Sequence, residues 1–478
     1  MARKTIPAAD SIINNELEKV IADLEKKLLV RKECLAVFNT LPESGLSMER
    51  IEELMVVHEE LDKDVDIEGG KVSGTVYGMD PSLRHVMLRA FSRFFYSNPL
   101  HPEVFKAGRK MEAEVVFMTL SLFSGTEECV GTVTSGGTES ILLACKAYRD
   151  RGRSEKGILF PEIVAPITVH AAFEKAANYF GIRLIHVDVD LETGKADLIQ
   201  MRRLITGNTV ALVGSAPCYS LGIMDDIPAI SALAQEYGIG CHVDCCLGSF
   251  IIPFMRDLYD LPLFDFAVPG VTSISCDPHK YGFAPKGISV IMYNSATLRQ
   301  YQYFVSAEWT GGIYATPTLL GSRSGAIVAA TWAALLAFGK DGYRDAALRI
   351  YESVTLVVHG IKSIPELFVY GKPASSVVAL GSRNLNIYAI NDVMSRHGWH
   401  LNALQNPPAV HIACTMLTTT RTITMLLHDL ADSVEEIKSH PLTSLNSGTA
   451  GIYGTSAALP DKSIIEDVAK GYIDVLYK

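Results

Sequence analysis

The chain of 478 residues lacks any apolar stretch long enough to span a bilayer. Its longest near-apolar run, 327–338, has 12 residues, against the roughly 20 that a transmembrane helix needs, and is expected to be a buried helix. No secretory signal is expected either, because Met1-Ala2-Arg3-Lys4 leads to Asp10 and a charged helical pattern without an apolar core segment between them. Positive charge is scarce: 43 Lys and Arg stand against 53 Asp and Glu, for a net charge of −10 and a pI near 5.7. That balance argues against nucleic acid, or an anionic membrane surface, as the general partner. Local basic residues can still hold a small phosphorylated molecule. Among nine cysteines there is no paired Cys-x-x-Cys spacing, so Cys241, Cys245 and Cys246 read as buried strand residues and no metal site is expected. An odd count without a signal points to reduced thiols in the cytosol. Neither a Gly-x-Gly-x-x-Gly nor a Walker sequence occurs, and no internal repeat or low-complexity segment is evident.

With 48% hydrophobic residues, the chain is long enough for one large domain and a smaller one. Residues 10–65 read as helical: Ile13, Leu17, Ile21, Leu24 and Leu28 recur at helix spacing, and Ser47 is placed to cap a second helix. A glycine-rich break at 69–74 precedes Tyr77, and a helix from 81 ends before the two prolines of 98–102. From 103 to 300 the period alternates between helix and short apolar strand. Strands are expected at 162–166, 183–189, 210–215, 240–244, 271–276 and 287–293, several apolar on both faces as covered parallel strands are. Such alternation means an α/β sheet. Beyond 341, candidate strands at 368–370 and 377–380 and helices at 391–397 and 420–439 describe a smaller α+β unit. The expected domains are thus 1–95 (helical), 96–340 (large α/β) and 341–478 (small α+β).

Four pieces carry chemistry. Lys280 ends Ser275-Cys276-Asp277-Pro278-His279-Lys280, after an apolar run and before a Gly/Pro turn, which holds an amine at the mouth of a sheet. Ser135-Gly136-Gly137-Thr138 opens a helix after a strand, where free N–H groups and the dipole attract phosphate. Asp244 ends a strand, where a carboxylate can pair with a pyridinium N–H, and His170 ends another, where an imidazole can stack on a ring. Alone, each has an ordinary reading: a solvated lysine, a plain strand–helix turn, a hydrogen-bonded aspartate and a capping histidine. In this order they describe a pyridoxal phosphate site. Lys280 bonds the cofactor if burial and neighbouring charge depress its pKa, and His279 can hydrogen-bond the phosphate.

These residues resemble the signature of the pyridoxal-phosphate group II decarboxylase superfamily at Thr134-Ser135-Gly136-Gly137-Thr138-Glu139-Ser140, His242-Val243-Asp244 and Asp277-Pro278-His279-Lys280. The surrounding text is similar to its sphingosine-1-phosphate lyase branch. The likeness covers 70–77, 98–102, 161–166, 270–275, Trp309-Thr310-Gly311-Gly312-Ile313-Tyr314, Gly321-Ser322-Arg323 and 377–383. The resemblance implies an aspartate-aminotransferase-like (fold type I) large domain with a mixed, mostly parallel sheet, and a smaller C-terminal α+β domain. It implies that Lys280 holds the cofactor, Asp244 pairs with its ring nitrogen, His170 stacks on it, and Gly137, Thr138 and His279 hold its phosphate. Tyr77, Asn98, His101, Lys286 and Ser322 match a substrate-phosphate pocket, and Tyr219 a tyrosine near the reacting centre. Eukaryotic members carry an N-terminal membrane anchor, which is not found here, so a soluble, cytoplasmic form with transient membrane contact at most is expected.

The resulting expectation is a homodimeric lyase that cleaves C2–C3 of phosphorylated long-chain bases, giving phosphoethanolamine and a long-chain aldehyde. Lys280, His101 and Tyr219 all qualify as the base for the C3 hydroxyl. The alternatives are an L-amino-acid decarboxylase using the same cofactor, which would need a carboxylate site in place of the phosphate pocket, and a cofactor-free scaffold, against which Lys280 and Asp244 together weigh.

Overall fold

The structure, a computed structural model, describes residues 21–22, 25–26, 36, 38–190, 192–440 and 463–477. The helix expected around Ile13–Leu28 therefore lies outside the described residues, except for 21–22 and 25–26, which are helical. The second helix is present at Met48–Glu59, where the Ser47 side chain accepts the Arg50 N–H.

Among the described residues, strands β1 (Val130–Thr134), β2 (Glu162–Pro166), β3 (Arg183–Val187), β4 (Thr209–Ser215), β5 (Gly240–Asp244), β6 (Ser273–Cys276) and β7 (Ser289–Tyr293) form a seven-stranded sheet. Its order is β1-β7-β6-β5-β4-β2-β3. Pairs β2/β3, β2/β4, β4/β5 and β5/β6 are parallel, and β7 runs antiparallel to both β6 and β1. The sheet is mixed and mostly parallel, as expected. Since β7 alone is reversed, β1 points the same way as β6. Every residue of β2, β4, β5 and β7 is buried, which follows from helices covering both faces.

Side-chain alternation divides this core in two. Val164, Leu212, Val243 and Ile274 pack on one face with Ile227 and Ile230 of helix Ile227–Glu236. Ile163, Ala211, Val213 and Ile291 pack on the other with Ile141, Leu142 and Tyr148 of helix Gly137–Lys156. His242 and Asp244 share the parity of that second face.

A short hairpin follows, β8 (Phe304–Ser306) with β9 (Tyr314–Thr316). The expected buried helix at 327–338 is the first half of a longer one, Gly325–Lys362, which bends at Gly339 (φ 61, ψ 177) and resumes. Strands β10 (Leu367–Val369), β11 (Val377–Ser382), β12 (Asn402–Leu404) and β13 (Ala409–Ala413) then form a separate antiparallel sheet in the order β10-β11-β13-β12. The segment before Tyr77 is tied to this sheet. Ser73 donates its N–H to the His400 carbonyl at 3.0 Å, and its Oγ accepts the Ala413 N–H at 2.9 Å. Gly70 (φ 77) lets the chain pass the Leu417 carbonyl, which a Cβ would meet at 2.5 Å.

Candidate active site

Strands β1, β4, β5 and β6 all end at one edge of the large sheet, the edge where parallel sheets bind ligands. The turn after β1 carries Gly136-Gly137, the segment after β2 carries His170, and the one after β4 carries Tyr219. Asp244 is the last residue of β5, and Lys280 follows β6. Topology thus brings together residues that lie far apart along the chain.

Helix Gly137–Lys156 starts without a side-chain cap, so no side chain takes up its first N–H groups, and Ser135 and Thr138 at its mouth are exposed. Unpaired N–H groups and the positive end of the dipole suit a phosphate. A Cβ on Gly137 would lie 2.6 Å from Asp277 Oδ2 and 2.9 Å from Cys246 Sγ. Buried Glu139 anchors the turn, accepting the Ser135 N–H at 2.6 Å and the Leu319 N–H at 2.7 Å.

Lys280 Nζ lies 3.1 Å from Asp277 Oδ2, with the lysine side chain 20% and the aspartate 2% exposed. The sequence reading makes Schiff-base formation conditional on burial and neighbouring charge acting on the Lys280 pKa, and here the two act in opposite directions. Burial does push it down, but the Asp277 carboxylate, with Asp244 further off, outweighs burial and holds the ammonium well above its ordinary range. Asp277 Oδ1 is buried and without a hydrogen-bond partner among the described residues. His279 Nδ1 donates to the Ile288 carbonyl, while Nε2 stands 3.6 Å from Asp277 Oδ2. Burial lowers the His279 pKa, which favours the neutral ring.

Asp244 is buried, and its Oδ1 accepts the Ser275 hydroxyl and the Cys246 N–H, each at 3.1 Å. His170 is exposed and its Nδ1 accepts the Ala172 N–H at 3.1 Å, which leaves the proton of the neutral ring on Nε2. Its ring meets Tyr219 edge-on at 6.2 Å, and Tyr219 in turn meets buried His411 at 4.9 Å.

The expected substrate-phosphate residues fall into two groups. Tyr77 packs edge-on against Tyr281 at 4.7 Å, and Lys286 Nζ sits 4.5 Å above the Tyr77 ring while donating to the His279 carbonyl at 3.1 Å. Burial is the main reason the Tyr77 pKa is pushed up to about 12, so the phenol stays a donor. Burial, and then Lys280, lower the pKa of Lys286. The second group is Asn98, whose Nδ2 donates to Ser322 Oγ at 3.1 Å, with exposed His101 3.6 Å from Glu103. Among the described residues no hydrogen bond, ion pair or ring contact joins Asn98, His101 or Ser322 to the Lys280 group.

Sequence reasoning left Asp277, Glu139, Ser275 and His411 without roles. Asp277 and Glu139 stood inside quoted motifs, three residues before Lys280 and one after Thr138, so position was the available signal. Nothing in the sequence near His411 marks it.

The chain resembles known proteins over nearly its whole length. The family profile for the pyridoxal-dependent decarboxylase conserved domain matches residues 110–380. A sphingosine-1-phosphate lyase of Drosophila melanogaster is 44% identical over 477 residues, 99% of this chain and 87% of that protein. The sphingosine-1-phosphate lyase of Saccharomyces cerevisiae is 42% identical over 99% of this chain and 81% of that protein. Among solved structures, a sphingosine-1-phosphate lyase of Burkholderia pseudomallei superposes with a TM-score of 0.81 at 37% identity, covering 87% of this chain and 98% of that one. A Lactobacillus brevis glutamate decarboxylase, 18% identical with a TM-score of 0.71 over 86% of this chain and 96% of that one, shares the fold.

Proposed function

The chain belongs to the sphingosine-1-phosphate lyase family of pyridoxal-dependent enzymes, and from that premise we propose that it cleaves phosphorylated long-chain bases between C2 and C3. The products are phosphoethanolamine and a long-chain aldehyde. The observation that carries this reading, against amino-acid decarboxylation, is the Lys286–Tyr77 pair beside Lys280. An ammonium and a phenol that stays protonated suit a phosphate dianion on the substrate.

Pyridoxal phosphate fits the residues present. The fit rests on a helix start with no side-chain cap, a glycine where a Cβ would strike Asp277, a buried Asp277 oxygen without a hydrogen-bond partner among the described residues, and a largely covered amine. We assign Gly137, Thr138 and His279 to its phosphate, Asp244 to its ring nitrogen, His170 to its ring face and Lys280 to its aldehyde carbon. When bound, the cofactor supplies an electron sink conjugated to the substrate amine. Asp244 keeps the proton on the ring nitrogen. Tyr77 and Lys286 fix the substrate phosphate and so orient the C2–C3 bond. As that bond breaks, the C3 hydroxyl loses its proton, C3 becomes the aldehyde carbon, and C2 later gains a proton. Asp277 Oδ2, 3.1 Å from Lys280 Nζ, orients that amine; Lys280, Tyr219 and His101 all qualify to take the proton from the C3 hydroxyl.

We also propose a homodimer with shared sites, a reading supported by the lack, among the described residues, of any hydrogen bond, ion pair or ring contact between the Asn98–Ser322 group and the Lys280 group of one chain. A cytoplasmic location is supported by the eight described cysteines, all free and buried. Among the described residues no helix is long and apolar enough to cross a membrane.

Purified holoenzyme incubated with sphingosine 1-phosphate should release aldehyde and phosphoethanolamine in equal amounts, and Lys280→Ala should release neither. Carbon dioxide from a free amino acid, with no aldehyde from the phosphorylated base, would establish the decarboxylase instead.

A further inference from the structure

The covered face of β5 and β6 carries a continuous line of polar side chains where apolar packing would be ordinary. In the parallel register His242 lies opposite Ser273 and Asp244 opposite Ser275, and the two-residue period puts all four on the face under helix Gly137–Lys156. Tyr148 of that helix reaches down to them. Gly240 permits this approach, because a Cβ there would lie 2.2 Å from Tyr148 Cε1. Thr272 Oγ1 is 2.7 Å from Tyr148 Oη, Tyr148 Oη is 2.5 Å from Ser273 Oγ, and Ser273 Oγ is 2.7 Å from His242 Nδ1. His242 Nε2 is 3.3 Å from Ser275 Oγ, which is 3.1 Å from Asp244 Oδ1. Tyr148, Ser273, His242 and Ser275 are each at most 2% exposed.

Between Tyr148 and Asp244 the direction of the protons follows from the carboxylate end. A carboxylate only accepts, so Ser275 donates to Asp244 and must itself accept from His242. His242 therefore carries its proton on Nε2 and accepts at Nδ1 from Ser273. Ser273 in turn accepts from the Tyr148 hydroxyl. Two buried groups agree with this orientation. Burial pushes the His242 pKa down to about 4, against the pull of Asp244, so the ring is neutral. Burial also pushes the Tyr148 pKa up, so the phenol keeps its proton. Each donor thus polarises the next in the same sense, and the chain strengthens cooperatively toward Asp244.

We infer that Tyr148, Ser273, His242 and Ser275 are positioning residues, a one-way hydrogen-bond relay that holds the Asp244 carboxylate oriented toward the cofactor's ring nitrogen. The inference rests on the role proposed above for Asp244. None of the four touches the reacting atoms; they act through the carboxylate. A hydrogen bond to a charged group is worth enough that losing Ser275 Oγ should cost roughly tenfold to a hundredfold in kcat.

The relay is tested on holoenzyme labelled with nitrogen-15 histidine, the His242 resonances being assigned by their loss in His242→Asn. At neutral pH the His242 ring should show a protonated Nε2 and a bare Nδ1, and Ser275→Ala should weaken that preference. With sphingosine 1-phosphate, Ser275→Ala should lower kcat as above with KM little changed, Ser275→Thr should restore most of it, and Tyr148→Phe should give a smaller loss. A proton on His242 Nδ1, an imidazolium, or an undiminished kcat in Ser275→Ala would overturn the relay. Failure of the lyase reading would look different: the wild type would not turn over the phosphorylated base, while the His242 tautomer and its response to Ser275→Ala would stand.

Discussion

Lys280 and Lys286 stand on one turn, yet their surroundings set them opposite tasks. Lys280 is held as an ammonium by a nearly inaccessible carboxylate, Asp277 at 3.1 Å. Lys286 has a carbonyl and an aromatic face for neighbours, and burial with the nearby Lys280 charge lowers its pKa. An amine so placed gains most when a dianion arrives. Removing one charge-assisted contact should cost roughly 1.5–3 kcal/mol of substrate binding. Lys286→Ala and Tyr77→Phe, and His101→Ala if the second group serves the same phosphate, should each impair cleavage of the phosphorylated base while leaving the cofactor absorption unchanged. Unphosphorylated sphingosine should be a poor substrate for the wild type, with little further loss in the variants. Equal losses on both substrates would show that these residues do not read the phosphate.

At the scale of elements, helix Gly137–Lys156 has a glycine at each end for a different reason. Gly157, past its C-terminus, adopts φ 66 and would find no neighbour within 4 Å of a Cβ, so its need is conformational. Gly137, at the N-terminus, is needed because Asp277 and Cys246 crowd the place a side chain would fill. Gly157→Ala should therefore cost about 1 kcal/mol of stability and leave cofactor retention intact. Gly137→Ala should shed cofactor on dialysis while far-ultraviolet circular dichroism stays that of the wild type. Full retention in Gly137→Ala would remove the helix start from the cofactor site. This strand–turn–helix was legible in the sequence because glycines, a strand and a helix register all point the same way. Strand β12 was not, because Asn402–Leu404 is three residues long and gives no period to read. Nor was the continuation beyond Gly339, since a glycine that ends a helix and one that bends it look alike in sequence. The Asp277–Lys280 pair lay in plain view, but its effect on the amine depends on burial, which only the fold supplies.

For the whole molecule, the proposed homodimer would bring together two groups of candidate residues that share no direct contact among the described residues of one chain. The Asn98–Ser322 loop is rigid, because Asn98 Oδ1 accepts the N–H groups of Leu100 at 3.1 Å and Arg323 at 3.2 Å. Arg323 pairs with Glu112 of helix Lys106–Leu122, both side chains less than a fifth exposed. A loop so fixed is not expected to swing toward its own Lys280. Large side chains with apolar surface are also left open: Trp309 is 56%, Ile313 81% and Tyr96 88% exposed, and a partner subunit would cover such side chains favourably. Sedimentation should give twice the 52.1 kDa chain mass. Shared sites have a sharper consequence. Lys280→Ala and Asn98→Ala are each expected to be nearly inactive alone, but a heterodimer of the two would place both lesions in one site and leave the other whole. Co-expression should then recover roughly a quarter of wild-type activity by random pairing of symmetric subunits. If each chain supplied its own Asn98, both sites of the heterodimer would stay damaged and no activity would return, and a fully active monomer would refute the assembly outright.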